Sequence, residues 1–135
     1  MARGNLNVIG LFNILEDITP QLGGELDCNE HTVGSAEHNN GNSGTAKTID
    51  WRLGNHQVIA MTGNCTFTFI APTKPCMLSL RIYNSGAGYT RVFPTIKWPG
   101  GTIPTWTTAN AATDVLSLYC DASSFYYGQV ALDCK

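Results

Sequence analysis

Residues with acid–base or nucleophilic chemistry are few in this chain and are scattered along it. His31 and His38 lie in an irregular N-terminal segment, and His56 lies in a predicted turn. The sequence contains no GxSxG, HExxH or phosphate-binding glycine motif. It therefore lacks the residue spacing typical of serine hydrolases, zinc proteases and nucleotide-binding enzymes, and we expect no enzyme activity.

Two pairs of carboxylates are the candidates for a metal site or for hydrolysis. Asp27 and Glu30 are close together in a turn-rich segment and can bind a cation, although such residues more often accept hydrogen bonds from backbone N–H groups. Asp50 and Asp114 lie in predicted strands, and a polysaccharide hydrolase would need two such carboxylates to face each other. Nothing in the spacing places them opposite each other. We therefore expect neither a catalytic pair nor a bound metal or cofactor.

The five cysteines are Cys28, Cys65, Cys76, Cys120 and Cys134, an odd number with no CxxC spacing. This pattern argues against a zinc ribbon or zinc finger. Three of them lie in strand-like runs, where a reduced cysteine packs as a small apolar residue. We expect reduced cysteines, but a Cys65–Cys76 or a Cys120–Cys134 bridge stays open because pairing cannot be deduced from spacing alone.

The composition favours a β-protein. Only 13% of the 135 residues are charged, about half the usual share, and 14 are glycine. A surface with few charges and many turn residues is typical of short strands joined by tight turns. The net charge is −2 and no basic cluster is present, so we expect no nucleic-acid partner. No apolar run approaches the roughly 20 residues of a membrane-spanning helix, so we expect no membrane partner either.

Residues 1–44 differ from the rest and predict an extended N-terminal arm and linker. Asn7, Gly10 and Asn13 interrupt the apolar stretch, so it resembles neither a regular helix nor a signal peptide, and we expect no secretory export. The polar stretch 37–44 predicts a loop or linker. The apolar residues of the arm are predicted to contact neighbouring subunits or another protein: Leu6, Ile9, Leu11, Phe12, Ile14 and Leu15.

Residues 45–135 follow a period of two, which is the pattern of strands. In Cys65–Phe69, apolar residues alternate with threonine, which predicts one buried and one exposed face. Turn signals recur about every 8 to 12 residues, and they separate about seven or eight short strands. This pattern predicts an all-β fold, with an antiparallel β-sandwich or jelly-roll-like knob at 45–135.

Three aromatic residues, Trp98, Trp106 and Tyr126, lie beside predicted turns. Exposed aromatic side chains on β-loops can stack on sugars, and they can also anchor a subunit interface. In a small β-domain the commoner role is to cover the core. Core or interface packing is therefore the main expectation, and contact with a surface glycan is the alternative.

Four segments resemble, in the same order, segments of phage virion structural proteins of the tail-fibre, head-fibre and capsid-decoration type. They are EDITPQLGGELDCN at 16–29, TIDW with TGNCTFTF at 48–69, IKWPGGTIPT at 96–105, and ANAATDVLSLY from 109 with its continuation to Leu132. The chain departs from the family pattern at Asp121–Phe125, where Asp-Gly-Thr-Asn-Trp is usual.

The resemblance implies a bacteriophage virion structural protein, typically a homotrimer with a β-rich knob. An arm and one knob without a shaft suit a capsid cement or decoration protein, made in the host cytoplasm and bound to the major capsid protein on the outside of the head. The arm would add strand pairing and apolar contacts, and three copies would multiply them. The alternative is a small tail-fibre or baseplate adhesin, in which Trp98, Trp106 or Tyr126 would bind host glycans.

Overall fold

The computed structural model describes residues 23–135, so the predicted arm contacts between Leu6 and Leu15 lie outside the described residues. The chain divides into a unit that ends at Val33 and a unit at Gly34–Lys135, which contains every strand of the described part. The strands are β1 Glu37–Asn42, β2 Ala46–Asp50, β3 His56–Met61, β4 Cys65–Ile70, β5 Cys76–Asn84, β6 Arg91–Val92, β7 Ile96–Lys97, β8 Thr113–Cys120 and β9 Tyr126–Cys134. Two short 3-10 helices lie at Trp51–Leu53 and Pro99–Gly101. The predicted all-β fold is confirmed.

The first six strands alternate between two sheets. One sheet has the order β1-β3-β5-β8-β9-β7, and the other has the order β2-β4-β6. Glu37 pairs with His56, and Ala46 pairs with Thr66, so one circuit of the chain takes about 20 residues. Each circuit adds one strand to each sheet, parallel to the strand before it. The chain thus makes three circuits around a shared core, in the manner of a short β-solenoid.

The pairing corrects the antiparallel expectation. Among the described strands only β5–β8 and β8–β9 are antiparallel, and the other five pairings are parallel. The period of two in a sequence shows which face of a strand is buried, but it does not identify the neighbouring strand. Parallel neighbours need a crossover connection, and among β1 to β6 the crossover is a strand of the opposite sheet.

The segment expected to be a linker at 37–44 contains strand β1. Polar side chains hold this strand: the Asn40 Nδ2 group donates to Gln57 Oε1 at 2.9 Å and to the Val58 carbonyl at 3.2 Å. Glu37 and Arg81 form an ion pair at 2.6 Å. The φ of Gly41 is +69°, and the register shifts between Asn39 and Asn42. Composition therefore indicated a loop, although backbone pairing with β3 and the hydrogen bonds of Asn40 make it a strand.

The core lies between the two sheets. The Phe67 ring stacks on Phe93 with centroids 4.7 Å apart, and the Phe69 ring meets Trp51 edge-on at 5.5 Å. Cys65 and Phe67 are buried, and Thr66 and Thr68 are exposed, as the alternation predicted. The fully buried aliphatic residues are Ile49, Ile59, Leu80, Ile82, Leu116 and Leu118.

A buried ion pair joins β6 to β8. The Arg91 Nη1 atom lies 3.2 Å from Asp114 Oδ2, and both side chains are almost fully buried. Arg91 Nη2 donates to Asn84 Oδ1 and to the Thr107 carbonyl, both at 2.8 Å. Asp114 accepts from the backbone N–H groups of Thr107 at 3.0 Å and Asp133 at 2.9 Å. Burial lowers the pKa of Arg91, and the Asp114 carboxylate opposes that effect.

We expect Asp114→Asn to lower the free energy of unfolding by about 3–5 kcal/mol, because it leaves the Arg91 charge buried without its counter-charge. Urea denaturation of the purified chain measures the loss. Asp50→Asn is the matched control, since the ion pair of Asp50 with Arg52 is partly exposed and contributes little to stability. Equal denaturation midpoints for the two variants would contradict this account of the pair.

Candidate functional site

The structure places the three predicted contact aromatics in or against the core. Tyr126 is only 7% exposed, and its ring meets Phe69 edge-on at 5.1 Å, so it packs in the core, as the main expectation had it, and the alternative of a surface contact does not fit it. Trp98 and Trp106 are half-buried and meet edge-on at 6.1 Å. The Arg91 guanidinium lies 5.3 Å from the centroid of the Trp106 ring. The described structure thus brings Trp98 and Trp106 together as cover for the core.

Three of the four candidate carboxylates, Asp27, Asp50 and Asp114, have a structural partner. Asp50 accepts from Arg52 Nε at 2.9 Å, and this guanidinium lowers the pKa of Asp50 to about 2. Asp114 is bound by Arg91. Asp27 accepts from the Asn29 N–H at 2.8 Å, as expected of an Asx-turn. Within residues 23–135, no group of three or more histidine, cysteine or acidic side chains has the arrangement of a metal site.

The outer face of the six-stranded sheet carries a groove of about 580 Å³, which we call the outer groove. Four adjacent strands line it, with Met77 from β5, Tyr119 from β8, Tyr127 from β9 and Lys97 from β7. Met77 is 63% exposed, Tyr119 43% and Tyr127 42%. A groove of this size lies within the range of about 300 to 1,000 Å³ that is typical of small-ligand sites.

Strand register sets the geometry of the outer groove. Met77 pairs with Tyr119, Tyr119 pairs with Tyr127, and Tyr127 pairs with Lys97, so the four side chains form one row across the sheet. The two tyrosine rings have centroids 6.3 Å apart and are tilted by 36°. We call these four residues the outer row. Because neighbours in a row point to the same face, the sheet itself holds the row in position.

Lys97 is held between two aromatic rings at one end of the outer row. Its Nζ atom lies 4.1 Å from the Phe125 ring centroid and 4.9 Å from the Tyr127 centroid, distances typical of cation–π contacts. Lys97 Nζ also donates to Tyr127 Oη at 3.3 Å, and Tyr127 Oη donates to Asp121 Oδ2 at 3.2 Å. A cation, two rings and a carboxylate are therefore connected at this end of the groove.

Asp121 orders the tip of the hairpin between β8 and β9. Its Oδ1 atom accepts from the N–H groups of Ser123 and Phe125, both at 2.9 Å. The Phe125 hydrogen bond is the main cause of the lowered pKa of Asp121. The tip thus places an aromatic residue, Phe125, against Lys97.

Gly128 lets Trp98 pack against β9 beside the outer row. A Cβ atom at this position would lie 2.7 Å from Ile96 Cγ2 and 2.9 Å from Trp98 Cζ3. Both distances are shorter than real contacts allow, so any larger residue would displace β7 or the tryptophan ring. Trp98 therefore lines the groove and also packs against the core.

Sequence reasoning selected Tyr126 and missed its neighbour Tyr127. Successive residues of a strand face opposite sides of the sheet, so a difference of one position separates a core residue from an exposed one. The usable signal was the alternation in β8, where Leu116 and Leu118 are buried and Tyr119 is exposed. Because Tyr119 pairs with Tyr127 in the antiparallel ladder, Tyr127 lies on the same exposed face of the sheet as Tyr119.

Neither a protein-family model, nor a curated protein, nor a solved structure matches this chain at a significant level. Among residues 23–135, no helix has the length and apolar character that crossing a membrane requires. The geometry therefore defines an all-β domain with a mixed aromatic and charged groove on the outer face of its larger sheet.

We expect Tyr126→Phe to maintain or raise the stability at neutral pH and to reduce its loss in alkali. The Tyr126 hydroxyl is buried without a hydrogen-bond partner in the described structure, a situation that costs about 1–3 kcal/mol. Burial also raises the pKa of Tyr126 from 10.0 to about 12. Between these values the folded chain binds a proton that the unfolded chain releases, so stability falls as the pH rises from 10 to 12.

Denaturation midpoints measured across this pH range test the expectation. Tyr127→Phe is the control, because it removes the same atom from an exposed neighbour and should retain the wild-type decrease. An alkaline decrease in Tyr126→Phe as steep as in the wild type would contradict the assignment.

Proposed function

We propose that this chain is a bacteriophage virion structural protein: a homotrimeric capsid cement or decoration protein that binds the outside of the major capsid lattice and stabilises the head. The observation that carries the proposal is the outer row, in which Met77, Tyr119 and Tyr127 are exposed on a sheet whose other face is closed by the core. Methionine and aromatic residues are enriched in the buried centres of protein interfaces. The resemblance of four segments to virion proteins supports the choice of partner.

The frame behind the outer row supports a structural role. Strands β5, β8 and β9 form the antiparallel part of the sheet, and the inner faces of β5 and β8 supply buried leucines to the core. A surface fixed in this way loses little conformational entropy on binding. A net charge of −2 also allows neighbouring copies to sit close together without strong repulsion.

The predicted arm supplies the second part of the proposed attachment. Its apolar residues, Leu6 to Leu15, would contact neighbouring subunits or the capsid protein. Three copies in a trimer would combine several weak contacts into one slowly dissociating attachment. We propose the major capsid protein and the other two copies as partners, and such a role needs no cofactor.

We expect deletion of residues 1–20 to leave a folded domain that no longer binds heads, because the core and the buried ion pair belong to Gly34–Lys135.

We expect Tyr119→Ala to weaken head binding about tenfold or more, as loss of a central interface aromatic does. Co-sedimentation with purified heads that lack the protein measures both effects.

Val92→Ala is the matched control for the outer row, since Val92 is 59% exposed on the smaller sheet. Equal head binding by Tyr119→Ala and Val92→Ala would contradict the role of the outer row in attachment. Full occupancy of heads by the truncated chain would contradict the role of the arm.

Quantitative mass spectrometry of virions adds an independent measurement. A copy number near that of the major capsid protein supports cement, and a few copies per particle would contradict it.

A second candidate function, a tail-fibre or baseplate adhesin for host glycans, is favoured by one observation. The outer groove combines the exposed ring of Tyr127 with the polar groups of Lys97, Ser117 and Gln129. Aromatic faces beside convergent hydrogen-bonding groups are what recognition of a sugar ring requires. In this candidate Tyr127 takes the role that the sequence assigned to Tyr126.

If the protein is an adhesin, the purified chain binds host cell envelopes, and Tyr127→Ala reduces that binding several-fold because the stacking surface is lost. A pull-down with envelope fragments measures it, with Val92→Ala as the control. Absence of envelope binding by the wild-type chain would exclude this candidate and leave the cement proposal.

A further inference from the structure

Two cysteines face each other across the antiparallel pair of β5 and β8. Cys76 is the first residue of β5, Cys120 is the last residue of β8, and the two are register partners. Both follow the inward parity of their strands, on which Leu78 and Leu118 are buried. All five cysteines lie within residues 23–135, and none of them forms a disulfide. We propose that Cys76 and Cys120 form an intrachain disulfide under oxidising conditions.

The strand geometry brings the two residues within reach of a bond. Directly opposed residues have Cβ atoms about 4.5–5.5 Å apart, and a disulfide needs about 3.5–4.5 Å. The Asn84 N–H donates to the Ala112 carbonyl at 2.9 Å farther along the same ladder. Because hydrogen-bonded pairs alternate with non-bonded ones, Cys76 and Cys120 form a hydrogen-bonded pair, the wider of the two types. The bond therefore needs a small approach of the two backbones.

The position at the strand ends allows that approach. Cys76 directly follows Pro75, and Cys120 directly precedes the turn at Asp121, so the ladder stops at this pair. Some strain remains in the bond, which makes it easier to reduce than an ordinary structural disulfide.

Strand lengths exclude the two bridges that the sequence left open. Cys134 pairs with Thr113 at the far end of β8, and the eight residues of that strand separate it from Cys120 by more than about 20 Å. Cys65 Sγ lies 3.7 Å from the Ser43 carbonyl, and the Ser43 N–H donates to the Ala60 carbonyl at 2.8 Å. Ala60 pairs with Tyr83, near the end of β5, whereas Cys76 begins that nine-residue strand. Cysteines with Cα atoms more than about 7 Å apart cannot form a disulfide without backbone movement.

The different exposure of the two thiols sets the order of the reaction. Cys120 is 1% exposed, and the pKa of its thiol is raised first by burial and then by the adjacent Cys76. Cys76 is half-buried and reacts first. Its thiolate attacks a low-molecular-weight disulfide, oxidised glutathione, and releases one glutathione thiolate. The Cys120 thiolate then displaces the second glutathione, so two thiols are oxidised and two glutathione molecules are formed, which take up the two protons.

This inference does not rest on the proposed function, because the bond would form wherever the chain meets an oxidising environment. Its test uses the full wild-type chain, incubated with oxidised glutathione, alkylated and cut with chymotrypsin under non-reducing conditions. Chymotrypsin is suitable because Phe69 lies between Cys65 and Cys76, and Tyr119 and Phe125 flank the Cys120 segment. We expect one linked peptide pair, Cys76 with Cys120, and its loss after reduction.

Variants give a second readout. In a background with Cys28→Ser and Cys134→Ser, oxidation should raise the Tm by several degrees, because the bond closes a loop of more than 40 residues. Adding Cys76→Ser should abolish that rise, and adding Cys65→Ser instead should preserve it. The inference is overturned if the oxidised wild-type chain contains a Cys65–Cys76 or Cys120–Cys134 peptide, or if Cys76 and Cys120 both remain open to alkylation after unfolding.

Discussion

The buried pair of Arg91 and Asp114 is the interaction on which the placement of residues 85–112 depends. This segment contains only two strands of two residues each, so backbone ladders alone hold little of it. The guanidinium and the carboxylate together bind Asn84, the two backbone groups of Thr107 and the N–H of Asp133. Burying two charges is costly, and these hydrogen bonds offset that cost only when every partner is in place. The pair therefore favours one arrangement of the segment over many loose ones.

The position of residues 85–112 also determines which side chains meet in the outer groove. The segment leads through β6 to β7, and β7 places Lys97 beside Tyr127 at the edge of the larger sheet. The inner face of the same strand supplies Ile96 to the core, next to Gly128. Core packing and the outer groove are thus two faces of one set of strands, and a change in register would alter both of them.

The sequence predicted what depends on local pattern, and it could not predict what depends on strand partners. The alternation in Cys65–Phe69 identified the buried face of β4 correctly, and the turn signals separated most strands. Strand β1 was missed because the hydrogen bonds of Asn40 and the ion pair of Glu37 hold it, and no hydrophobic pattern marks such a strand. Tyr126 and Tyr127 are the same residue type, and only pairing with β8 shows which of them is exposed. The predicted arm contacts between Leu6 and Leu15 stay a prediction, because those residues lie outside residues 23–135.

The polar side chains of β1 affect whether copies of the domain join edge to edge when they are close together. This strand is an outermost member of its sheet, and an unpaired edge can add strands from other molecules without limit. Here the edge is short, charged at Glu37, and bent where the register shifts near Gly41. Such an edge discourages a second sheet from continuing the first. Copies of this domain at high local density can therefore remain separate and avoid growing into a fibre.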